Sequence, residues 1–193
     1  MQSKDHYILG TFLLEKFGEN ISPMKRRAFL FGCIEPDLNP FTYMRGSLKN
    51  DFMRGHNAEN VKKHTHRIIE KLRKSGIRTA KQWFELGTAL HYAADGFTFP
   101  HNSFFSGTLK EHVKYESLFH PIFEQFLQTS SVPNAETDTD IEKLHGLYVC
   151  DKRSFLTDCK YIVEVTVGLC RELSNADIFS TETPNGEKEN IYA

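Results

Sequence analysis

Two histidine–carboxylate pairs at helical spacing constrain this chain more than any other feature. In Leu90-His91-Tyr92-Ala93-Ala94-Asp95-Gly96-Phe97-Thr98-Phe99-Pro100-His101, His91 and Asp95 stand four residues apart, and His112-Val113-Lys114-Tyr115-Glu116 repeats the spacing. Residues four apart are neighbours on a helix surface, so both pairs converge only if both segments are helical. Neutral imidazole and carboxylate are the donors that borderline cations such as zinc prefer, and one helical turn lets two of them share an ion. His101 lies past the helix stop, because Gly96 relaxes the backbone and Pro100 disfavours helix at the residue before it. A loop histidine there can fold back over the pair. One such pair is commonly a surface hydrogen bond, and Lys110, Glu111, Lys114 and Tyr115 around His112 also suit a solvated face. Two pairs close together, with His101 between them, shift the reading to a metal site.

Helical periodicity recurs along the chain and strand alternation does not, which predicts one all-α domain over residues 1–193. Tyr7, Ile8, Phe12, Leu13 and Phe17 form an apolar stripe that stops at Gly18, where a left-handed cap is expected. Ser22-Pro23 reads as a cap followed by proline in the first turn of a helix carrying Ala28, Phe29, Leu30 and Phe31. From Pro36 to His56 a long loop is predicted, with breakers at Pro40, Gly46, Asn50 and Gly55. Asn57 caps a helix that runs to Gly76. Thr79-x-x-Gln82 is a capping box opening a helix whose inward face holds Trp83, Phe84, Leu86, Leu90 and His91, with Gly87 allowing close helix approach.

A further helix from about Leu109 carries His112, Glu116, Phe119, Phe123 and Phe126. Residues 129–139 read as a loop or lid, Thr139-x-x-Glu142 as another capping box, and Asp151 or Ser154 as the start of a last helix reaching Leu173. A polar tail follows from about Glu187.

The chain has 193 residues, 39% hydrophobic and 25% charged, enough for a real core in one domain. Its formal net charge of -1 offers no basic surplus for a duplex nucleic-acid binder. No leader and no apolar run of about twenty residues is visible, so the expected location is cytoplasmic, without a transmembrane segment. Cys33, Cys150, Cys159 and Cys170 lack Cys-x-x-Cys spacing and read as free packing thiols. His64 and His66, two apart, point to opposite sides of a helix and read as solvated. His64 is nonetheless the rival of His56, described below. His120 and His145 have no partner at ligand spacing and read as structural or exposed.

Leu90-His91-Tyr92-x-x-Asp95, the six-residue step to Pro100-His101, and His112-x-Lys114-Tyr115-Glu116 together resemble the zinc-dependent phospholipases C, which share a superfamily with the S1/P1-type nucleases. Glu35-Pro36-Asp37, Gly55-His56-Asn57 and His6 are similar to that family's early ligands. The likeness covers His6 to about Phe126. It implies a zinc cluster of two or three ions in a cleft between helices. Asp37, His56, His91 and Asp95 would hold the first ion, and His101, His112 and Glu116 the second. Asp95 as a bridge, His6 and the terminal amine and carbonyl would hold the third. Relatives expose a processed terminal tryptophan, whereas this chain begins Met1-Gln2. Chelation by a terminus uses backbone atoms, so Met1 can serve, and Gln2 is expected to disfavour methionine removal.

The implied activity is hydrolysis of a phosphodiester, a phospholipid headgroup above all, by water that zinc acidifies. Asp37 is the candidate general base as well as a ligand, since carboxylates do both jobs. Manganese or iron could replace zinc in such a donor set. Glu116 resembles the phospholipase branch, the nuclease branch having aspartate there. Phe41, Tyr43, Phe97, Phe99, Phe104 and Phe105 crowd the ligand loops. They suit acyl chains or a membrane surface, and equally core packing. The alternatives are a nuclease or nucleotidase that stacks a base on these rings, and a non-enzymatic metal-stabilised scaffold.

Overall fold

The computed structural model describes residues 1–18, 20–44, 56, 58–130 and 139–175, with the backbone alone at 43, 44, 174 and 175. Among them the chain is all-helical, without a strand. The α-helices are α1 (Ser3–Phe17), α2 (Pro23–Leu38), α3 (Ala58–Ser75), α4 (Ala80–Gly96), α5 (Leu109–Thr129), α6 (Ile141–Cys150) and α7 (Phe155–Asn175), with 3-10 turns at Pro40–Met44 and Phe99–His101. The expected breakers Gly46, Asn50 and Gly55, the cap Asn57, most of the 129–139 lid and the tail from 187 lie outside the described residues. No helix of the described residues is long and apolar enough to cross a membrane.

Helix α4 is the hub, packed against α1, α2, α3 and α7. The Thr79–Gln82 capping box forms as expected and starts it. From Leu86 to Gly96 every residue is buried, because neighbours cover the helix on all sides. Its contact with α2 is backbone to backbone. A Cβ on Gly87 would stand 2.3 Å from the Phe29 carbonyl oxygen, and one on Gly32 2.2 Å from that of Phe84. Two glycines facing each other set this approach. Around it Leu9, Leu13, Phe29, Leu90, Phe97, Phe119, Ile162 and Leu169 belong to one buried core.

Several boundaries differ from the sequence reading. Helix α2 continues through Pro36 to Leu38, where a loop is predicted from Pro36 onward. Proline here loses its own N–H bond and crowds the carbonyl one turn back, and the buried α2–α4 seam holds the last turn in spite of this. The Gly18 φ is −101°, so it is no left-handed cap; a Cβ there would lie 2.3 Å from the Leu14 carbonyl oxygen, and this close approach is what requires glycine. Gly76, at φ 71°, does end α3 in the left-handed region.

The cap of α6 is Asp140, whose carboxylate accepts from the N–H groups of Glu142 and Lys143, rather than Thr139. Ser22 stands at the start of α2, with Pro23 in its first turn, yet its hydroxyl makes no capping bond. Ser154 caps α7, accepting from the Thr157 N–H at 3.0 Å. An unforeseen box, Thr108 with Glu111, opens α5. Tyr7 is exposed although it belongs to the expected apolar stripe, Phe31 on α2 is exposed as well, and Cys150 is exposed where a packing role is expected.

Candidate metal centre

Asp95 is the centre of the site. It is fully buried, and its two oxygens face different groups of donors. Oδ1 lies 2.8 Å from the Met1 α-amine, 3.1 Å from His6 Nε2 and 3.1 Å from His101 Nδ1. Oδ2 lies 3.2 Å from His56 Nδ1 and 3.3 Å from His91 Nε2. A bridging carboxylate needs this two-sided arrangement. Asp37 Oδ1 stands 3.6 Å from both His56 Nδ1 and His91 Nε2. On the other flank, Glu116 Oε1 lies 2.9 Å from His112 Nε2, 3.2 Å from the Met1 amine and 3.9 Å from His101 Nε2.

Every ligand candidate named from the sequence therefore converges here, brought by α1 (His6), α2 (Asp37), α4 (His91, Asp95), the turn Phe99–His101 (His101) and α5 (His112, Glu116). Met1 and His56 complete the set. Three groups have ligand atoms within 4.8 Å of one another: His6, His91 and Asp95; Asp37, His56 and His91; His101, His112 and Glu116.

Neighbouring acceptors fix which ring nitrogens face inward. His91 Nδ1 is 2.8 Å from the Cys33 carbonyl, and His56 Nε2 is 3.2 Å from the Pro36 carbonyl. Carbonyls only accept, so these nitrogens carry the protons and leave His91 Nε2 and His56 Nδ1 as lone-pair donors in the neutral rings. Those two atoms are 3.3 Å apart, with the Asp37 and Asp95 oxygens beside them. Four electron-rich atoms around one point repel each other unless a cation lies between them. Thr98 plays the orienting part for His101: its hydroxyl donates to the Asp95 carbonyl at 2.8 Å and accepts from Nδ1 at 2.8 Å, leaving Nε2 toward Glu116. The donor set fits zinc, and buried His6 Nδ1 has no hydrogen-bond partner among the described residues.

Without metal, protons partly fill the cation's role. Burial lowers the proton affinity of His91, but Asp95 and Asp37 outweigh it and hold the pKa above the ordinary histidine value. Burial likewise opposes charge on the Met1 amine, yet Asp95, Glu116 and Asp37 raise its pKa to about 10. His101 moves the other way, to about 4, because burial prevails and the Met1 amine repels a second positive charge. Glu116 falls to about 2: burial raises it, but His112, the amine and His101 stabilise its anion more. Burial also works against the Asp95 anion, yet His101, the amine, His6 and His91 hold its pKa far below the usual carboxylate range.

The remaining histidines sort as follows. His64 is half-buried, edge-on to Tyr92 with ring centroids 5.8 Å apart, which corrects its reading as solvated; it lies in none of the three groups. His66 is exposed. His120 Nδ1 meets buried Asp5 at 2.5 Å, and His145 Nε2 meets Asn102 at 2.6 Å. Sequence reasoning missed Ser3, whose hydroxyl donates to Asp37 Oδ2 at 2.9 Å, as well as Thr98. Short hydroxyl side chains have no spacing signature that would single them out. Phe97 is core, Phe99, Phe104 and Phe105 are half-buried, and Phe41 is exposed.

An all-helical domain that gathers five buried imidazoles and the buried Asp95 carboxylate, with Asp37 and Glu116 beside them, is of a class that can hold metal between helices. Residues 5–163 match the family model described as zinc dependent phospholipase C, and the chain belongs to that family, a family of hydrolases. No curated protein and no solved structure matches it.

Proposed function

We propose that the protein is a zinc-dependent phosphodiesterase that hydrolyses a phospholipid headgroup ester or a similar phosphodiester. Family membership supports the reaction class, and one observation carries the reading for this chain: His91 Nε2, His56 Nδ1 and the Asp37 and Asp95 oxygens turn toward one point, with their outer atoms held by carbonyls and a hydroxyl. In this reading Asp37, His56, His91 and Asp95 hold one ion and His101, His112 and Glu116 a second. Asp95, His6 and the Met1 amine and carbonyl hold a third.

Zinc bound there supplies Lewis acidity to phosphoryl oxygens and makes water acidic enough to attack at neutral pH. The chain supplies orientation and proton transfer. Ser3 fixes Asp37 Oδ2, leaving Oδ1 toward the site in a side chain that keeps 13% exposure. Asp37 Oδ1 is thus the candidate acceptor for the proton of the attacking water. Burial of Asp95, His6 and His91 keeps bulk water from competing with them.

The test is phosphorus release from phosphatidylcholine vesicles and from a chromogenic phosphodiester, with zinc-loaded protein and Asp37→Asn. Cleavage that yields diacylglycerol, and that falls at least a hundredfold in the variant together with weaker binding of the ion Asp37 holds, is the expected result. Cleavage of single-stranded DNA in preference to both substrates would contradict the lipid assignment.

A further inference from the structure

Asp158 in α7 is a buried carboxylate outside the ligand set, 2% exposed. It accepts three hydrogen bonds from neutral donors. The Phe99 N–H and the Tyr115 hydroxyl both reach Oδ2, the former at 3.1 Å, and the Tyr148 hydroxyl reaches Oδ1 at 2.9 Å. It forms no ion pair among the described residues, so neutralising a charge is not its task. Burying an ionisable group in this way is costly, and an apolar residue would pack α7 against α5 at less expense.

What distinguishes Asp158 is where its donors come from. Phe99 opens the 3-10 turn that ends in His101. Tyr115 lies between His112 and Glu116 on α5. One carboxylate oxygen therefore ties together the two segments that carry all three residues of the His101, His112 and Glu116 group. Among the described residues Tyr148, on α6, is its only donor from a segment that carries no ligand.

We infer that Asp158 is a positioning residue for the metal site formed by His101, His112 and Glu116, holding turn and helix in register through Phe99 and Tyr115. The inference rests on the metal reading of those three residues. Asp158 bonds no ligand itself among the described residues and acts on the two segments that carry them. Partners that bond a ligand directly change metal affinity by about tenfold to a hundredfold when lost, and loosening two segments at once is expected to fall in that range.

The experiment is a cobalt(II) titration of the full chain, reading visible absorption and chelator competition, with His112→Ala marking which cobalt belongs to this site. Asp158→Ala is expected to weaken that cobalt by about tenfold to a hundredfold and leave the others unchanged. Asp158→Asn restores it, because its amide oxygen can still accept from Phe99 and Tyr115. Tyr148→Phe has no effect. If Asp158→Ala does not fold, Tyr115→Phe decides, since it removes the α5 tether alone and is expected to weaken the same cobalt. Wild-type affinity at the marked site in Asp158→Ala, or equal weakening of every site, overturns the inference. A wild-type chain with no cobalt sensitive to His112→Ala instead overturns the metal reading itself, and the two failures are thereby separate.

Discussion

Replacing Gly87 by alanine sets two physical effects of opposite sign against each other. On helix propensity alone the change stabilises by about 1 kcal/mol, since alanine is the best helix former and glycine among the worst. The packing says otherwise. The new Cβ would meet the Phe29 oxygen at 2.3 Å and the Cys33 nitrogen at 2.8 Å, both backbone atoms of α2 that no rotamer change can move. Relieving the contact requires α2 and α4 to separate by about 1 Å. Overpacking costs about 1–3 kcal/mol, and a backbone obstacle puts this case at the upper end. The net expectation is a loss of about 2 kcal/mol, or about 4–8 °C in Tm for a chain of this size.

The same separation stretches the bond from His91 Nδ1 to the Cys33 carbonyl, now 2.8 Å, beyond hydrogen-bonding distance. Zinc should then stabilise the variant less than the wild type, by about 1.4 kcal/mol for each tenfold loss of affinity. Thermal melts by circular dichroism, with and without zinc, read both effects. A variant that melts at or above the wild-type temperature with an undiminished zinc shift would refute the reasoning.

Other perturbations probe the centre directly. Asp95→Asn leaves the buried Met1 ammonium with Glu116 as its nearest carboxylate, at 3.2 Å, and should cost the metal-free protein about 3–5 kcal/mol in urea unfolding; a midpoint equal to wild type would contradict this. The Met1 amine, held at about 10, must shed its proton to bind an ion. Affinity for the third ion should therefore rise about tenfold per pH unit between 7 and 9, and a Gly-Ser extension of the amino terminus should abolish the slope in calorimetric titrations. Because the pKa of Glu116 is depressed to about 2, its stabilising effect is complete above its ordinary pKa and is lost as pH falls through about 2. Glu116→Gln in metal-free protein should flatten stability across that acid window, and an unchanged acid limb would contradict the pairing with His112.

The ligand candidates most legible in the sequence are those that local geometry dictates. His91 with Asp95 and His112 with Glu116 are pairs on a helix, and a spacing of four residues is informative without any tertiary knowledge. His6, Asp37, His56 and Met1 have no such regularity; they became readable only through a family resemblance, and chain folding alone unites them. Local rules failed where tertiary packing overrode them. Pro36 was read as the start of a loop, yet the Gly32–Gly87 seam carries α2 two residues beyond it. His64 reads as solvated from its two-residue spacing to His66, although it is half-buried in a T-shaped contact with Tyr92. Ser3 and Asp158 are invisible in the sequence because Asp37 lies 34 residues from the one and Phe99 59 residues from the other, while Thr98, only three residues from His101, is a lone hydroxyl that advertises no role.

The account stands or falls on the convergence of donors around Asp95. The most direct test is the metal content of untagged protein, purified with zinc present and counted by plasma mass spectrometry. Two or three equivalents per chain are predicted, falling in Asp95→Asn because the bridge is lost. Protein that retains no metal would contradict the account, and the cluster would then be a buried polar network held by protons.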